Sequence, residues 1–84
     1  DVWLAYQLNK PSDNSGIVVA FRRKDNQSDT LPVKLRGLDP GFTYVVFNDN
    51  DKSTISKTGK ELAEGIKLEI KEAPGSLLLK YRKE

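Results

Sequence analysis

The sequence contains no cysteine, no histidine and no methionine. The lack of cysteine excludes disulfides, thiolate nucleophiles and zinc–thiolate sites. The lack of histidine removes the commonest general base, the commonest protein ligand of metals and the side chain that titrates near neutral pH. Because methionine is also missing, we expect Asp1 to mark the edge of a processed or excised piece of a longer chain.

The sequence is also short and lacks long apolar runs. The 84 residues suffice for one small domain over residues 1–84, whereas a (β/α)₈ barrel needs about 250 residues. The apolar runs span a few residues each, so no membrane partner is expected and no signal peptide is visible in these residues. Any targeting segment would lie upstream of Asp1. Nothing in this composition indicates a compartment.

Short stretches that alternate apolar and polar residues are typical of β-strands. They predict strands at residues 2–8, 17–21, 31–35, 42–47, 54–58, 66–70 and 77–81. The run at 17–21 is continuously apolar, which favours a strand packed on both faces. Pro32 limits its strand to a sheet edge or to a late start.

The faces of the first and last strands follow from the same alternation. We predict that Val2, Leu4, Tyr6 and Leu8 face the core, opposite Trp3, Ala5 and Gln7. Because Trp3, Ala5 and Leu78 are themselves apolar, they indicate that a second face of the terminal strands is also covered.

Turn clusters separate the predicted strands at residues 11–16, 24–29, 37–41, 48–53 and 72–75, and residues 59–65 have room for one helical turn. Turns at intervals of about 8–12 residues are characteristic of small all-β folds. We therefore predict an all-β fold, a small antiparallel β-sandwich of six to eight short strands.

Asp49 and Asp51 come closest to a catalytic carboxylate pair. They lie between two predicted strands beside Lys52, without an apolar pocket that would raise a carboxyl pKa. A hairpin loop explains them better. A calcium loop starting at Asp49 would need Gly and Glu where Thr54 and Lys60 stand. We predict no catalytic, cofactor-binding or metal-binding residue and no enzymatic activity for this chain.

Two basic clusters, at residues 22–24 and 80–83, would form a positive patch if their strands were adjacent. The net charge of +2 is small and no stacking motif accompanies them. We therefore expect no nucleic-acid partner and interpret the clusters as solvated strand ends.

Three further motifs are weak. Trp3 and Tyr6 would stack on sugars only from one face, yet their spacing puts them on opposite faces, so core packing or a domain interface is favoured. The sequence 26–28 (Asn-Gln-Ser) matches the N-glycosylation pattern. The sequence 58–60 (Thr-Gly-Lys) lacks the spacing and glycines of a P-loop.

The order of several segments resembles the C-terminal β-domain of bacterial α-galactosidases, the melibiase-like glycoside hydrolases. The most specific segments are 35–40 (Leu-Arg-Gly-Leu-Asp-Pro) with Tyr44 behind it, and 58–62 (Thr-Gly-Lys-Glu-Leu) before Gly65-Ile66. The resemblance continues at Trp3, Tyr6-Gln7, Pro11, Gly16, 19–23 (Val-Ala-Phe-Arg-Arg) and 76–81 (Ser-Leu-Leu-Leu-Lys-Tyr).

This resemblance implies an antiparallel sandwich packed behind a catalytic (β/α)₈ barrel of the same parent chain. In such enzymes two barrel aspartates hydrolyse terminal α-galactosides with retention, and neither lies in the C-terminal domain. The implied function is a non-catalytic accessory domain that stabilises the barrel, with Trp3 on the barrel-facing side and no cofactor of its own.

Two alternatives remain open: a free-standing carbohydrate-binding module, which needs exposed aromatic side chains on one surface, and a fibronectin-like interaction module.

Overall fold

The computed structural model describes residues 3–23, 29–71 and 75–84. In this part of the chain there are seven strands and one short helix. The strands are β1 (Leu4–Lys10), β2 (Ser15–Arg22), β3 (Thr30–Val33), β4 (Thr43–Asn48), β5 (Thr54–Thr58), β6 (Ile66–Glu69) and β7 (Gly75–Lys83), and the helix is α1 (Gly59–Glu64). A 3₁₀ turn, Pro11–Asp13, connects β1 and β2. Within these ranges, no helix has the length and apolar character needed to cross a membrane.

The strands form two antiparallel sheets. The larger sheet has the order β1-β2-β7-β4-β5, and the smaller one pairs β3 with β6. The two sheets share one hydrophobic core, so the predicted small antiparallel sandwich is confirmed. Both strands of the smaller sheet are edges, as Pro32 requires, because proline has no N–H to donate to a second neighbour.

The core lies between the inner face of the larger sheet and a layer formed by the smaller sheet with α1. From the larger sheet it receives Val18, Ala20, Tyr44, Val46, Leu77, Leu79 and Tyr81. From the opposite layer it receives Leu35, Leu62, Leu68 and Ile70. The alternation of residues 77–81 and 66–70 predicted these inward sets correctly.

A glycine permits the closest approach within the larger sheet. Gly16 on β2 is paired with Tyr81 on β7, and a Cβ atom at Gly16 would overlap the Tyr81 hydroxyl. The phenol therefore lies over the backbone of β2. Its ring also meets the edge of the Tyr44 ring, with the centroids 6.3 Å apart. Residue 16 must remain glycine for Tyr81 to occupy this place.

The predicted orientation of β1 is wrong. Ala5 and Gln7 pair with Ala20 and Val18, the two β2 residues that point into the core, and cross-strand partners share a face. The apolar set of β1 consequently points away from the core, with Leu4, Tyr6 and Leu8 exposed to 39%, 56% and 65%.

Two related expectations also need correction. Trp3, which was expected on the outward side of the first strand, packs against the core. The strand at 17–21 is fully buried on one face only, because Val18 and Ala20 are inside whereas Phe21 on the other face is 42% exposed.

We expect Leu8→Thr and Leu79→Ala to differ sharply in stability. Leu79 is buried, so truncating it should lower the free energy of unfolding by about 2–4 kcal/mol. Leu8 projects into solvent, so Leu8→Thr should change that free energy by less than about 0.5 kcal/mol. Urea unfolding of the two variants and the parent chain measures both values. A large loss of unfolding free energy for Leu8→Thr would instead support the inward orientation of Leu8 that the alternation predicts.

Candidate functional site

The outward-pointing side of the larger sheet, here called the outer face, is unusually apolar. Its strand positions hold nine large apolar side chains, several of them half-buried by their neighbours: Leu4, Tyr6, Leu8, Ile17, Val19, Phe21, Val45, Phe47 and Leu78. Four of the five most exposed large apolar residues of the described chain, those at 4, 6, 8 and 21, belong to it. Soluble monomers rarely expose contiguous apolar patches larger than a few hundred Å², and patches above that size mark interaction surfaces.

The strand register places these side chains in rows across the sheet. Leu4 is opposite Phe21, and Tyr6 is opposite Val19, which is opposite Leu78. The next row runs from Leu8 through Ile17 to Lys80, Phe47 and Thr54. The apolar residues are therefore densest on β1 and β2, while β5 adds the polar positions Thr54 and Ser56 as a rim.

A polar network on the opposite side explains why β1 turns its apolar residues outwards. Gln7 Nε2 donates to the carbonyl of Arg36 at 2.8 Å and to the Tyr81 hydroxyl at 2.8 Å. Its Oε1 accepts from the N–H of Arg36 at 2.9 Å. The Tyr81 hydroxyl donates to Asn9 Oδ1 at 2.9 Å. Gln7 and Asn9 thus bind β1 to β7 and to the segment after β3.

The Tyr81 phenol is almost fully buried in this network. Burial raises its pKa above the ordinary value of 10.0, because the phenolate would lose hydration that the core does not replace. The hydrogen bond from Gln7 partly opposes this shift, since it stabilises the anion. The neutral phenol is the form that the fold holds, and it donates its proton to Asn9.

Asp49 and Asp51 lie in the β4–β5 hairpin loop, as predicted, and their contacts are structural. Asp51 Oδ1 accepts from the N–H of Ser53 at 2.9 Å, and hydrogen bonds from the Ser53 side chain and backbone lower the Asp51 pKa. Asp49 lies 3.6 Å from Lys52 and 3.9 Å from Lys80. A low carboxyl pKa is the opposite of what a general acid requires.

The same loop continues the pairing of β7. Asn50 Nδ2 donates to the Ser76 carbonyl at 2.7 Å, and Asn50 Oδ1 accepts from the N–H of Leu78 at 3.2 Å. The side chain of Asn50 therefore substitutes for a strand backbone at the end of β4. Across the described ranges, no group of three acidic residues is arranged to hold a metal ion.

The two basic clusters do not form one patch. β2 and β7 are adjacent but antiparallel, with Arg22 opposite Gly75 and Arg82 opposite Ser15. Arg22 and Arg82 thus lie at opposite ends of the sheet. The interpretation of both as solvated strand ends is wrong for Arg22, which is only 8% exposed. Its Nη1 donates to the carbonyls of Ile70 at 2.8 Å and Lys71 at 3.0 Å, joining the two sheets.

The remaining sequence motifs give no site. Trp3 packs on the core and Tyr6 on the outer face, so the two cannot form one sugar platform, as predicted. The glycosylation pattern at 26–28 lies outside the described residues, as does most of the turn predicted at 72–75. Thr58 is the N-cap of α1, where its hydroxyl accepts from the N–H of Glu61 at 3.1 Å.

The most specific segments of the resemblance meet at one corner of the fold. The Tyr44 hydroxyl accepts from the N–H of Asp39 at 3.0 Å, and Asp39 also closes a turn onto Phe42. Gly59 is buried so tightly on the Asp39 carbonyl that a Cβ atom would overlap it. Leu35 donates its N–H to the Leu62 carbonyl at 3.0 Å. These residues determine the fold of the corner through contacts with one another.

The helix at this corner is short and depends on its cap. Glu61 Oε1 accepts from the N–H of Thr58 at 2.9 Å, which completes a capping box. The backbone and then the hydroxyl of Thr58 lower the pKa of Glu61. The carboxylate is therefore committed to the helix start and is not free for acid–base chemistry.

Sequence reasoning predicted a second apolar face on the terminal strands but assigned the wrong residues of β1 to it, although a signal for the correct assignment is present. β2 has apolar residues on both of its faces, whereas β1 has its large apolar residues on one face and two amides, Gln7 and Asn9, on the other. Amides at successive inward positions indicate hydrogen-bonding partners inside the fold. No protein-family model matches the chain, and a search of curated proteins also finds no match.

We predict that Tyr81→Phe lowers the free energy of unfolding by about 1–2 kcal/mol at pH 7, because Gln7 and Asn9 each lose a buried partner. The raised pKa means that the folded state favours the neutral phenol. The neutral phenol of Tyr81 therefore contributes to the free energy of unfolding in full below the ordinary pKa of 10.0. This contribution is lost as the pH rises through the raised pKa of the folded state.

Urea unfolding at pH 7 and at stepped alkaline pH tests this. The advantage of the parent chain over Tyr81→Phe should shrink in alkali. The control is Tyr6→Phe, since the Tyr6 ring is on the exposed outer face. Equal effects of the two substitutions at pH 7 would contradict the network.

Neighbouring arginines test the link between the sheets. Arg22→Met should lower the free energy of unfolding by about 2–3 kcal/mol, because it leaves the carbonyls of Ile70 and Lys71 without this donor. Arg23→Met makes the same change of charge at an exposed position and should change the stability by less than about 0.5 kcal/mol. Thermal unfolding of both variants measures this difference. Similar midpoints would mean that the hydrogen bonds of Arg22 do not stabilise the contact between the two sheets.

Proposed function

We propose that this chain is a non-catalytic accessory domain of a glycoside hydrolase, similar to the C-terminal domain of α-galactosidases. Its outer face packs against a catalytic (β/α)₈ barrel of the same parent chain and stabilises it. The observation that carries the proposal is the exposed apolar surface of β1 and β2, centred on Leu4, Tyr6, Leu8 and Phe21.

The energetic gain from covering this surface is large for so small a domain. Complete burial of a large apolar side chain contributes about 1.5–3 kcal/mol, and the four residues are already partly buried, so covering them contributes on the order of 4 kcal/mol. A domain of this length has a total stability of about 4–12 kcal/mol. Covering the outer face would therefore add a contribution that is a large fraction of the domain's own stability.

The chemistry of the described residues supports an accessory role. Asp49, Asp51 and Glu61 are engaged in turns or in a helix cap, and none lies in an apolar pocket that would tune it for acid–base work. The residues that carry the resemblance build a structural corner. Catalysis by the parent enzyme would thus depend on barrel residues.

One observation favours carbohydrate binding as a second candidate. Tyr6 and Phe21 are exposed on the same face, on neighbouring strands and one row apart. Exposed aromatic faces of this kind stack on sugars. Sugar sites also need polar groups beside the ring, whereas the neighbours here are Leu4, Leu8 and Val19. The surroundings therefore favour a protein surface.

The first test is to read the coding sequence upstream of Asp1. A (β/α)₈ pattern of several hundred residues, with aspartates at the ends of barrel strands, is expected. A start codon directly upstream, or a run of similar small β-domains, would overturn the proposal. The 84-residue chain alone should not hydrolyse an aryl α-galactoside.

The outer face is then tested in the full parent enzyme with Tyr6→Lys/Leu8→Lys. Two charges at the interface should accelerate thermal inactivation of the α-galactosidase activity, because the domain no longer covers the barrel. Thr54→Lys/Ser56→Lys adds the same charge on the polar rim and should leave the inactivation rate close to that of the parent enzyme. Equal rates for all three proteins would show that the barrel does not use this face.

Titrating oligosaccharides into the chain while recording amide NMR spectra tests the second candidate, a carbohydrate-binding module. Shifts confined to Tyr6, Val19 and Phe21 at millimolar oligosaccharide would favour a binding module. The fluorescence of Trp3 is a poor probe for this purpose, since its ring packs against the core on the other side of the sheet.

A further inference from the structure

β1 forms one edge of the larger sheet, and within the described ranges β2 is its only strand neighbour. We infer that two copies of the chain pair through the free edge of β1, antiparallel and strand to strand, and join their five-stranded sheets into one continuous sheet. This inference does not rest on the proposed function, because pairing at an edge leaves the outer face uncovered.

The backbone groups that reach the free edge belong to the odd-numbered residues of β1. The N–H of Lys83 donates to the carbonyl of Asn14 at 2.8 Å, and these two residues continue the β2–β7 register. A strand in an antiparallel sheet bonds alternately to its two neighbours, so even-numbered residues of β2 bond to β7 and odd-numbered ones bond to β1. The register pairs those odd-numbered residues with even-numbered residues of β1. The N–H and carbonyl groups of Ala5, Gln7 and Asn9 therefore point away from β2, towards the free edge.

Of the four edge strands in the described chain, β1 is the least protected against pairing. Short length, proline and inward-pointing charges are the usual protections of a sheet edge. β3 and β6 have four residues each, with Pro32 in β3 and Lys67 in β6, and Lys57 of β5 is on the core side of the sheet. β1 is seven residues long, and residues 3–9 include no charged residue and no proline. Ala5 is exposed although it lies on the core side, so the smaller layer does not cover this edge.

The outward side chains of β1 fit a second copy of the same strand. With Tyr6 of one copy opposite Tyr6 of the other, Leu4 of each copy is opposite Leu8 of its partner. All three apolar residues then meet apolar residues, at the positions without hydrogen bonds, where opposite Cα atoms are only about 4.5 Å apart. Centring the pair on Gln7 would instead place Lys10 opposite Leu4. The self-complementary order of side chains therefore selects the register centred on Tyr6.

Charge does not oppose this pairing, and the other edge of the sheet limits it to two copies. Lys10 Nζ is 3.2 Å from the carboxylate of Asp13, and the Lys10 residues of the two copies lie at opposite ends of the antiparallel pair. Once both β1 strands are paired, each end of the continuous sheet is a β5 strand with Lys57 on the core side. An inward-pointing charge opposes further pairing. The assembly is therefore a closed two-fold dimer and not a fibre.

Sedimentation velocity of the 84-residue chain between about 10 μM and about 1 mM tests the dimer, since an interface of one strand from each copy belongs to the smallest and weakest class. Ala5→Pro removes an N–H at the free edge and no hydrogen bond to β2, so it should raise the dissociation constant at least about tenfold.

The matched control is Ser56→Pro, at the free edge of β5. The N–H of Asn48 donates to the carbonyl of Ser53, so odd-numbered residues of β5 bond to β4 and the N–H of Ser56 points away from it. Ser56→Pro should leave the dissociation constant unchanged. Circular dichroism of both variants shows whether the fold is retained.

A single cysteine tests the register without proline, because the chain has no cysteine of its own. A Cα separation of about 4.5 Å is within the range of a disulfide, so Tyr6→Cys should form a cross-linked dimer on mild oxidation. Leu8→Cys is the control at a similarly exposed position. The Leu8 residues of the two copies would be four strand residues apart, about 13 Å, so Leu8→Cys should cross-link at least about tenfold more slowly.

The expected result is a dimer that Ala5→Pro weakens and Ser56→Pro does not, together with selective cross-linking of Tyr6→Cys. A chain that remains monomeric at about 1 mM overturns the inference, and so does a dimer that a folded Ala5→Pro leaves intact. Equal cross-linking rates of Tyr6→Cys and Leu8→Cys also overturn it, because they would indicate another register or contact between outer faces. If Ala5→Pro does not fold, the two cysteine variants decide alone.

Discussion

The hydrogen bonds of Gln7 and Asn9 inside the sandwich decide what the rest of the molecule presents to solvent. Side chains on a strand alternate between two faces, so placing these two amides inwards forces Leu4, Tyr6 and Leu8 outwards. The opposite orientation of β1 would bury three apolar side chains but leave the buried hydroxyl of Tyr81 without its two amide partners. A buried polar group without a partner costs about 1–3 kcal/mol, which is comparable with what each apolar residue gains by burial. The outer face is apolar because the polar residues of β1 form hydrogen bonds on the inner side of the sheet.

The second layer of the sandwich is too small to hold itself in place and depends on specific ties. A two-stranded sheet is marginal in water without a surface to pack on. Arg22 fixes one end of it through the carbonyls of Ile70 and Lys71. At the other side, the contact of Gly59 with the turn at Asp39 brings α1 under Leu35. The small layer is therefore held at one end by the hydrogen bonds of Arg22, and at the other by the close packing of Gly59 and the hydrogen bond from Leu35 to Leu62. Its apolar residues complete the core between these ties.

The sequence was sufficient to predict the architecture, but it did not show which face of β1 points into the core. Alternation and turn chemistry predicted the strands, the short helix and the inward sets of β6 and β7, because at those positions local pattern and burial agree. They failed at β1, since alternation reveals that two faces differ but not which one is inside. The choice depended on Tyr81, more than seventy residues away. Arg22 was misread for the same reason: a cation at a strand end is normally solvated, and its buried carbonyl partners come from a distant segment. The candidate site could be predicted only as far as an apolar second face of the terminal strands.

The place of β7 in the larger sheet has a consequence for the order of folding. β7 follows every other described strand in the sequence, yet it lies at the centre of that sheet, between β2 and β4. The pairs β1–β2 and β4–β5 join strands that are close in sequence, so each can form early as a hairpin. Neither hairpin touches the other through backbone pairing until β7 arrives. During synthesis the ribosome would therefore release two separate hairpins, and the last strand would unite them. Loss of β7 would divide the sheet into these halves and remove Leu77, Leu79 and Tyr81 from the core at once.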